Sequence, residues 1–246
     1  MTGPSFWPDV NPRSTPSTLA FPLPHPPANS MSLAERIGPS RTSCASTRAR
    51  VVGLVGGVGC GKSTVTDAWY ERRHDAAEDT LLVDGDTVGH EVRDQPAIQE
   101  QIVEAFGPEV LGPDRQIDRQ ALGATVFASD AKTALQRLNA IMHPAMRAEF
   151  RHRIETTAAP LVLFDAAILL EAGWDDLCHE VVFLDVSDAE RLSRVAERGW
   201  SEEQWRLREN AQWPLDRKRA AATIHAYATD ATADEVAAAL GDVLAD

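Results

Sequence analysis

From residue 51 onward, short apolar runs alternate with longer stretches in which apolar residues recur every three or four positions. The runs Val51–Val55, Leu81–Val83, Leu161–Phe164 and Val181–Leu184 each predict a strand, and Thr223–Tyr227 a weaker fifth. Strands alternating with helical stretches predict βαβ units and a parallel sheet. A long gap between the second and third runs carries helical patterns around Ala97–Phe106, Arg119–Phe127, Ala131–Met142 and Ala145–Thr156. These predict a helical insertion over the carboxyl edge of the sheet. The polar stretch Asp188–Arg219, rich in Arg and Glu at helical spacing, reads either as a solvated helical hairpin or as a lid.

Residues 1–50 have a different texture. They hold nine of the 15 prolines, many Ser and Thr and almost no apolar periodicity, a composition that buries too little surface to offset its ordering entropy. The expectation is a disordered extension. A transit peptide is the competing reading, since Arg13, Arg36, Arg41, Arg48 and Arg50 face only Asp9 and Glu35, but the prolines break the amphipathic helix such peptides use. Met31 is an alternative start.

The 246 residues, 43% of them apolar, suffice for one substantial core. Twenty-four basic against 37 acidic residues leave a net charge of −13, which argues against a duplex-binding surface. Cys44, Cys60 and Cys178 form neither a disulfide framework nor a zinc ribbon, so a reducing cytoplasm is expected. No apolar run approaches the roughly 20 residues that span a bilayer. The resulting division is an extension at 1–50 and one domain at 51–246, with a core of 51–90, 158–188 and 220–246, an insertion at 91–157 and a lid at 189–219.

The most specific chemistry lies directly after the first strand. Gly56-Gly57-Val58-Gly59-Cys60-Gly61-Lys62-Ser63 matches G-x-x-x-x-G-K-[ST] at every fixed position and runs into a helical stretch, Thr64–Arg73. Glycines let the backbone curl until successive N–H groups share one concavity, a nest for phosphate to which the helix dipole adds. Gly57, Val58, Gly59, Cys60, Gly61, Lys62, Ser63 and Thr64 are thus the candidate nucleotide-binding residues. Lys62 would reach the β- and γ-phosphates of ATP, and the Ser63 hydroxyl would ligate Mg²⁺. Cys60 reads as a small residue tolerated in the loop.

Phosphoryl transfer to an alcohol also needs a proton acceptor and acidic partners for Mg²⁺. Asp84 and Asp86 end the second strand, and as alternate residues of an extended segment they are expected to face one cleft, with Asp86 doubling as a helix cap. Leu161–Asp165 has the form of an apolar strand ending in a metal-holding acid, Asp165. Asp185 is expected to be structural. Trp200, Trp205 and Trp213 leave two readings open, stacking over a bound base or packing within the hairpin.

Beyond the loop, the chain resembles the bacterial dephospho-CoA kinase family over roughly residues 51–241. The resemblance rests on Gly53–Val65, Asp84-Gly85-Asp86, Phe106-Gly107, Ile117-Asp118-Arg119, His143-Pro144, Leu169-Leu170-Glu171, and Arg191, Arg194, Arg198, Arg208, Gln212 and Lys218. It implies a three-layer α/β P-loop kinase with a five-stranded parallel sheet, a helical substrate-binding insertion and a helical lid. It also implies transfer of the ATP γ-phosphoryl group to the ribose 3′-hydroxyl of dephospho-CoA. Composition adds the expectation of a cytoplasmic protein without nucleic acid or membrane as partner, and a monomer or weak homo-oligomer is expected. Carried over residue by residue, Asp86 becomes the base, Asp84, Arg119, His143 and Glu171 the acceptor side, and Arg194 and Arg198 the groups that close over the phosphates. Those two arginines share one helix face by their i, i+4 spacing. The sequence departs from the family where Ala167-Ile168 replaces a proline and where Ala228 replaces an Asn near the adenine. The competing classes are another small-molecule or nucleotide kinase, and a nucleotide-binding protein without turnover.

Overall fold

The computed structural model describes residues 49–72, 79–126 and 131–244. The extension at 1–48, with Cys44, lies outside the described residues, as do Arg73 and Phe127 at the ends of two expected helices. Five strands, β1 (Arg50–Gly56), β2 (Thr80–Asp84), β3 (Leu161–Asp165), β4 (Glu180–Asp185) and β5 (Ile224–Tyr227), form one parallel sheet in the order β2-β3-β1-β4-β5.

Alternation along the strands divides the core in two. Val51, Val55, Val83, Val162, Phe164, Val181 and Phe183 belong to one cluster; Val52, Leu54, Leu161, Leu163, Val182, Leu184 and Ile224 belong to the other. Successive side chains of a strand leave opposite faces, so strands apolar throughout demand a cover on each side. The second cluster is closed by α1 (Lys62–Arg72), through Val65 and Trp69, and by α9 (Ala233–Leu244), through Val236 and Leu240. The first is closed by the helices that precede β3.

Those helices are α2 (Gly85–Arg93), α3 (Pro96–Phe106), α4 (Arg119–Val126) and α5 (Ala131–Thr156). The last corrects an expectation: the two helices foreseen on either side of His143-Pro144 are one, with Pro144 inside it. Leu138, Met142, Met146, Phe150 and Ile154 recur every fourth position and are all buried. Each buried side chain contributes about 1.5–3 kcal/mol, against about 3 kcal/mol for an interior proline, so the stripe carries the helix through.

A second correction concerns the end of β2. Asp84 is the last strand residue and Gly85 already begins α2, so Asp84 and Asp86 do not alternate along one extended segment. The cap is Asp84, whose Oδ1 accepts the Thr87 N–H at 2.6 Å, and Asp86 lies in the first helical turn. A Cβ added at Gly85 would meet Ala166 Cβ at 2.9 Å, so glycine here permits the close approach of α2 to the end of β3.

After β4 come α6 (Asp188–Glu197), α7 (Glu202–Asn210) and α8 (Leu215–Ala221). Ser187 caps α6, and Ser201 with Gln204 closes a reciprocal capping box on α7. Asp185 accepts both Arg219 Nε and Nη2 at 3.2 Å, the structural role expected of it. Among the described residues, no helix is long and apolar enough to cross a membrane.

Candidate active site

The loop between β1 and α1 turns on glycine. Gly59 and Gly61 hold φ values of 85° and 89°, a region that other residues reach only with strain, and Cys60 N–H closes a turn onto Gly57 O at 3.1 Å. Cys60 is buried, with Sγ packed against Gly56, leaving the loop's backbone as its functional surface.

Sheet order brings acids to this loop. Because β3 lies between β1 and β2, Asp165 is in register with both Leu54 and Asp84. The Ser63 hydroxyl donates to Asp165 Oδ2 at 3.0 Å. Burial pushes the Asp165 carboxyl above the ordinary aspartate range, and nearby Asp84 and Asp86 act in the same sense; Lys62 and the Ser63 hydroxyl oppose the shift without cancelling it. For Lys62, burial alone would disfavour the ammonium, but Cys60 and the carboxylates of Asp165, Asp86 and Glu171 outweigh it and raise its pKa. Lys62, Asp86, Asp165 and Glu171 therefore share one electrostatic neighbourhood.

Three further residues singled out from sequence lie on α4, on α5 and after β3. Arg119 opens α4, and its charge helps depress the His90 pKa, for which burial is the main cause. Arg93 acts in the same sense as Arg119, and Asp86 and Asp94 act in the opposite one. His143 on α5 sets its ring edge-to-face on Trp174, centroids 5.3 Å apart, and burial lowers its pKa. Glu171 Oε1 accepts the Trp213 N–H at 2.8 Å and the Lys218 ammonium at 3.0 Å. Buried Lys218 also donates to Gln212 Oε1 at 2.6 Å and Gly56 O at 3.4 Å, which ties α8 to the start of the loop.

From the other side, α6 and α7 reach the loop backbone. Arg194 donates to Cys60 O at 2.9 Å and pairs with Glu190, whereas Arg198 is exposed just past the end of α6. Both line a cavity of about 490 Å³ whose opposite walls are Gly61, Thr64, Val65 and the turn from Ala228 to Ala233. The three tryptophans pack with arginines: Trp200 under Arg208, Trp213 under Arg217, and buried Trp205 under Arg191, with its indole donating to Val58 O at 3.0 Å.

His90 and Glu209 were not singled out from sequence. The i, i+4 spacing of Asp86 and His90 on α2 was an available signal. Glu209, which accepts the Val58 N–H across 151 residues of chain, had none.

A parallel sheet whose central strand passes through a glycine loop into a helix, with the loop serine bonded to an acid ending the next strand, defines a P-loop kinase. A family model described as dephospho-CoA kinase matches residues 50–233. The dephospho-CoA kinase of Corynebacterium glutamicum is 40% identical over 179 residues, covering 70% of this chain and 85% of that protein. The enzyme of the same name from Streptomyces avermitilis is 39% identical over 200 residues, covering 79% and 92%. Among solved structures, TT1252 from Thermus thermophilus superposes with a TM-score of 0.65 at 29% identity, covering 80% of this chain and 97% of that one. The chain belongs to the dephospho-CoA kinase family.

Proposed function

We propose that the protein transfers the γ-phosphoryl group of ATP to the ribose 3′-hydroxyl of dephospho-CoA, releasing ADP and coenzyme A. The observation that carries this reading is the clustering of Lys62, Asp86 and Asp165 at the phosphate loop, with Ser63 bonded to Asp165. Lys62 and the loop N–H groups are suited to stabilise charge on the group in transfer. Asp86 takes the proton of the 3′-hydroxyl as that oxygen attacks the γ-phosphorus. The bond from phosphorus to the β–γ bridging oxygen breaks, and ADP leaves with the electron pair.

Ser63 and Asp165 offer hard oxygen donors, which suit Mg²⁺, an ion that keeps several waters and takes the rest of its ligands from phosphate. When bound, the ion neutralises charge on the β- and γ-phosphate oxygens. Asp84, Arg119, His143 and Glu171 form the acceptor side. The segment α6–α8 serves as the lid, with Arg194 and Arg198 over the donor phosphates. The nucleoside occupies the cavity beside Ala228, where small side chains replace an amide. Cys60 and Cys178 are buried free thiols, in keeping with the cytoplasmic location we assign.

Incubation with Mg-ATP and dephospho-CoA tests the reading. ADP and CoA are expected in equal amounts, and no CoA above background refutes it.

A further inference from the structure

One N–H of the phosphate loop is already bonded to an anion. Glu209 Oε2 accepts the Val58 N–H at 2.8 Å, and Oε1 accepts Arg191 Nη1 at 2.8 Å. Arg191 is buried, stacked 5.0 Å from the Trp205 ring, and bonded through Nη1 to Val58 O at 3.1 Å and through Nη2 to Asp188 at 2.7 Å. The pair is pressed onto the loop itself. A Cβ built on Gly57 would meet Arg191 Nη1 at 2.2 Å and Glu209 Oε1 at 3.0 Å.

A backbone N–H in a glycine loop, joined by a guanidinium fork, is the combination that recognises phosphate oxygens. Here it holds a carboxylate. The cavity assigned to the nucleoside begins at Cys60, Gly61 and Thr64, further along the loop than Val58. A nucleotide seated there runs its phosphate chain along the loop toward Val58, so the outermost phosphate meets Glu209 and the innermost does not.

We infer that Glu209 is an internal stand-in for the terminal phosphate of the donor. It holds α7 on the loop, and a nucleotide with a long phosphate chain binds by displacing it, with Arg191 passing from the carboxylate to the arriving phosphate. The exchange is competitive and breaks no covalent bond. Glu209 therefore weakens donor binding according to how far the phosphates reach, and it couples release of α7 to arrival of the triphosphate. The inference rests on the donor half of the proposed function, not on the identity of the acceptor.

Calorimetric titration of the full chain and of Glu209→Gln with ATP and AMP tests it. Glutamine keeps the shape and removes the charge, and Glu209→Ala provides a second variant at this partly exposed position. Both are expected to bind ATP about tenfold tighter, the scale of one charge-assisted hydrogen bond withdrawn from the competitor, with AMP affinity unchanged. Unchanged or weaker ATP affinity in the variants overturns the inference, as does AMP affinity rising in step with ATP. ATP binding by neither the parent nor the variants overturns the donor site with it. Acceptor turnover does not enter the readout, so failure to form CoA leaves the test intact.

Discussion

The hydroxyl of Ser63 and the carboxylate of Asp165 meet at 3.0 Å although 102 residues of chain separate them. The contact joins the loop after β1 to the end of β3 and supports the proposal that Asp165 helps to hold Mg²⁺. Asp165→Asn is expected to reduce Mg²⁺-dependent turnover by about 10- to 100-fold, the scale for losing an outer partner of a metal site. Steady-state rates across a Mg²⁺ titration check this.

The same substitution carries a stability prediction of opposite sense. The folded-state pKa of Asp165 is raised, chiefly by burial, so the fold favours the protonated form. Its contribution is therefore fully present below the ordinary aspartate value of 3.8 and is lost as pH rises through the raised value. Above that raised value the ionised carboxylate is a cost that asparagine removes. Asp165→Asn is expected to melt no lower than the parent protein at pH 7 without nucleotide, and a clear fall in Tm would contradict the burial argument.

Lys62→Ala is expected to cut turnover by at least about 10²-fold, as for loss of one preorganised group that stabilises transition-state charge. Rates equal to the parent's would refute the assignment of the phosphate loop.

Asp84 and Asp86 are expected to separate by phenotype. Asp84→Ala removes the N-cap of α2 and is expected to lower stability by about 1 kcal/mol, read from denaturant midpoints. Asp86→Asn is expected to remove most turnover with ATP affinity and Tm preserved. If Asp86→Asn instead lost stability at normal specific activity, the base would have to be sought elsewhere.

His143 supplies a pH signature. Burial against Trp174 lowers its folded pKa below the ordinary value of 6.5, so the neutral ring is favoured. Its stabilising contribution is present above 6.5 and is lost as pH falls through the lower folded value. Melting temperatures from neutral pH to about pH 5 should fall less steeply for His143→Gln than for the parent. Parallel curves would exclude His143 as the source.

The sequence by itself determined the strands and the phosphate loop, because both are local in cause. Val51–Val55 and Leu161–Phe164 are apolar at every position, and a run of that kind has few places to go except a sheet covered on both faces. Gly59, Gly61, Lys62 and Ser63 act through backbone freedom and chemistry that eight consecutive residues supply. The proposed acceptor side, Asp84, Arg119, His143 and Glu171, rests on resemblance to a family.

What the tertiary structure decided are the matters settled by competition between distant parts. A continuous α5 depends on the buried stripe from Leu138 to Ile154 outweighing Pro144, and that burial exists only once the sheet is present. That Asp84 caps α2 while Asp86 lies in its first turn depends on where β2 stops, at the residue paired with Asp165 of β3. Lys218 and Glu209 look like ordinary charges on polar helices. Only when α7 and α8 fold back on β1 does one become a buried ammonium on Gly56 and the other a carboxylate on Val58. Helix periodicity specifies which side of a helix is apolar; it carries no information about which backbone N–H, 151 residues away, that helix will meet.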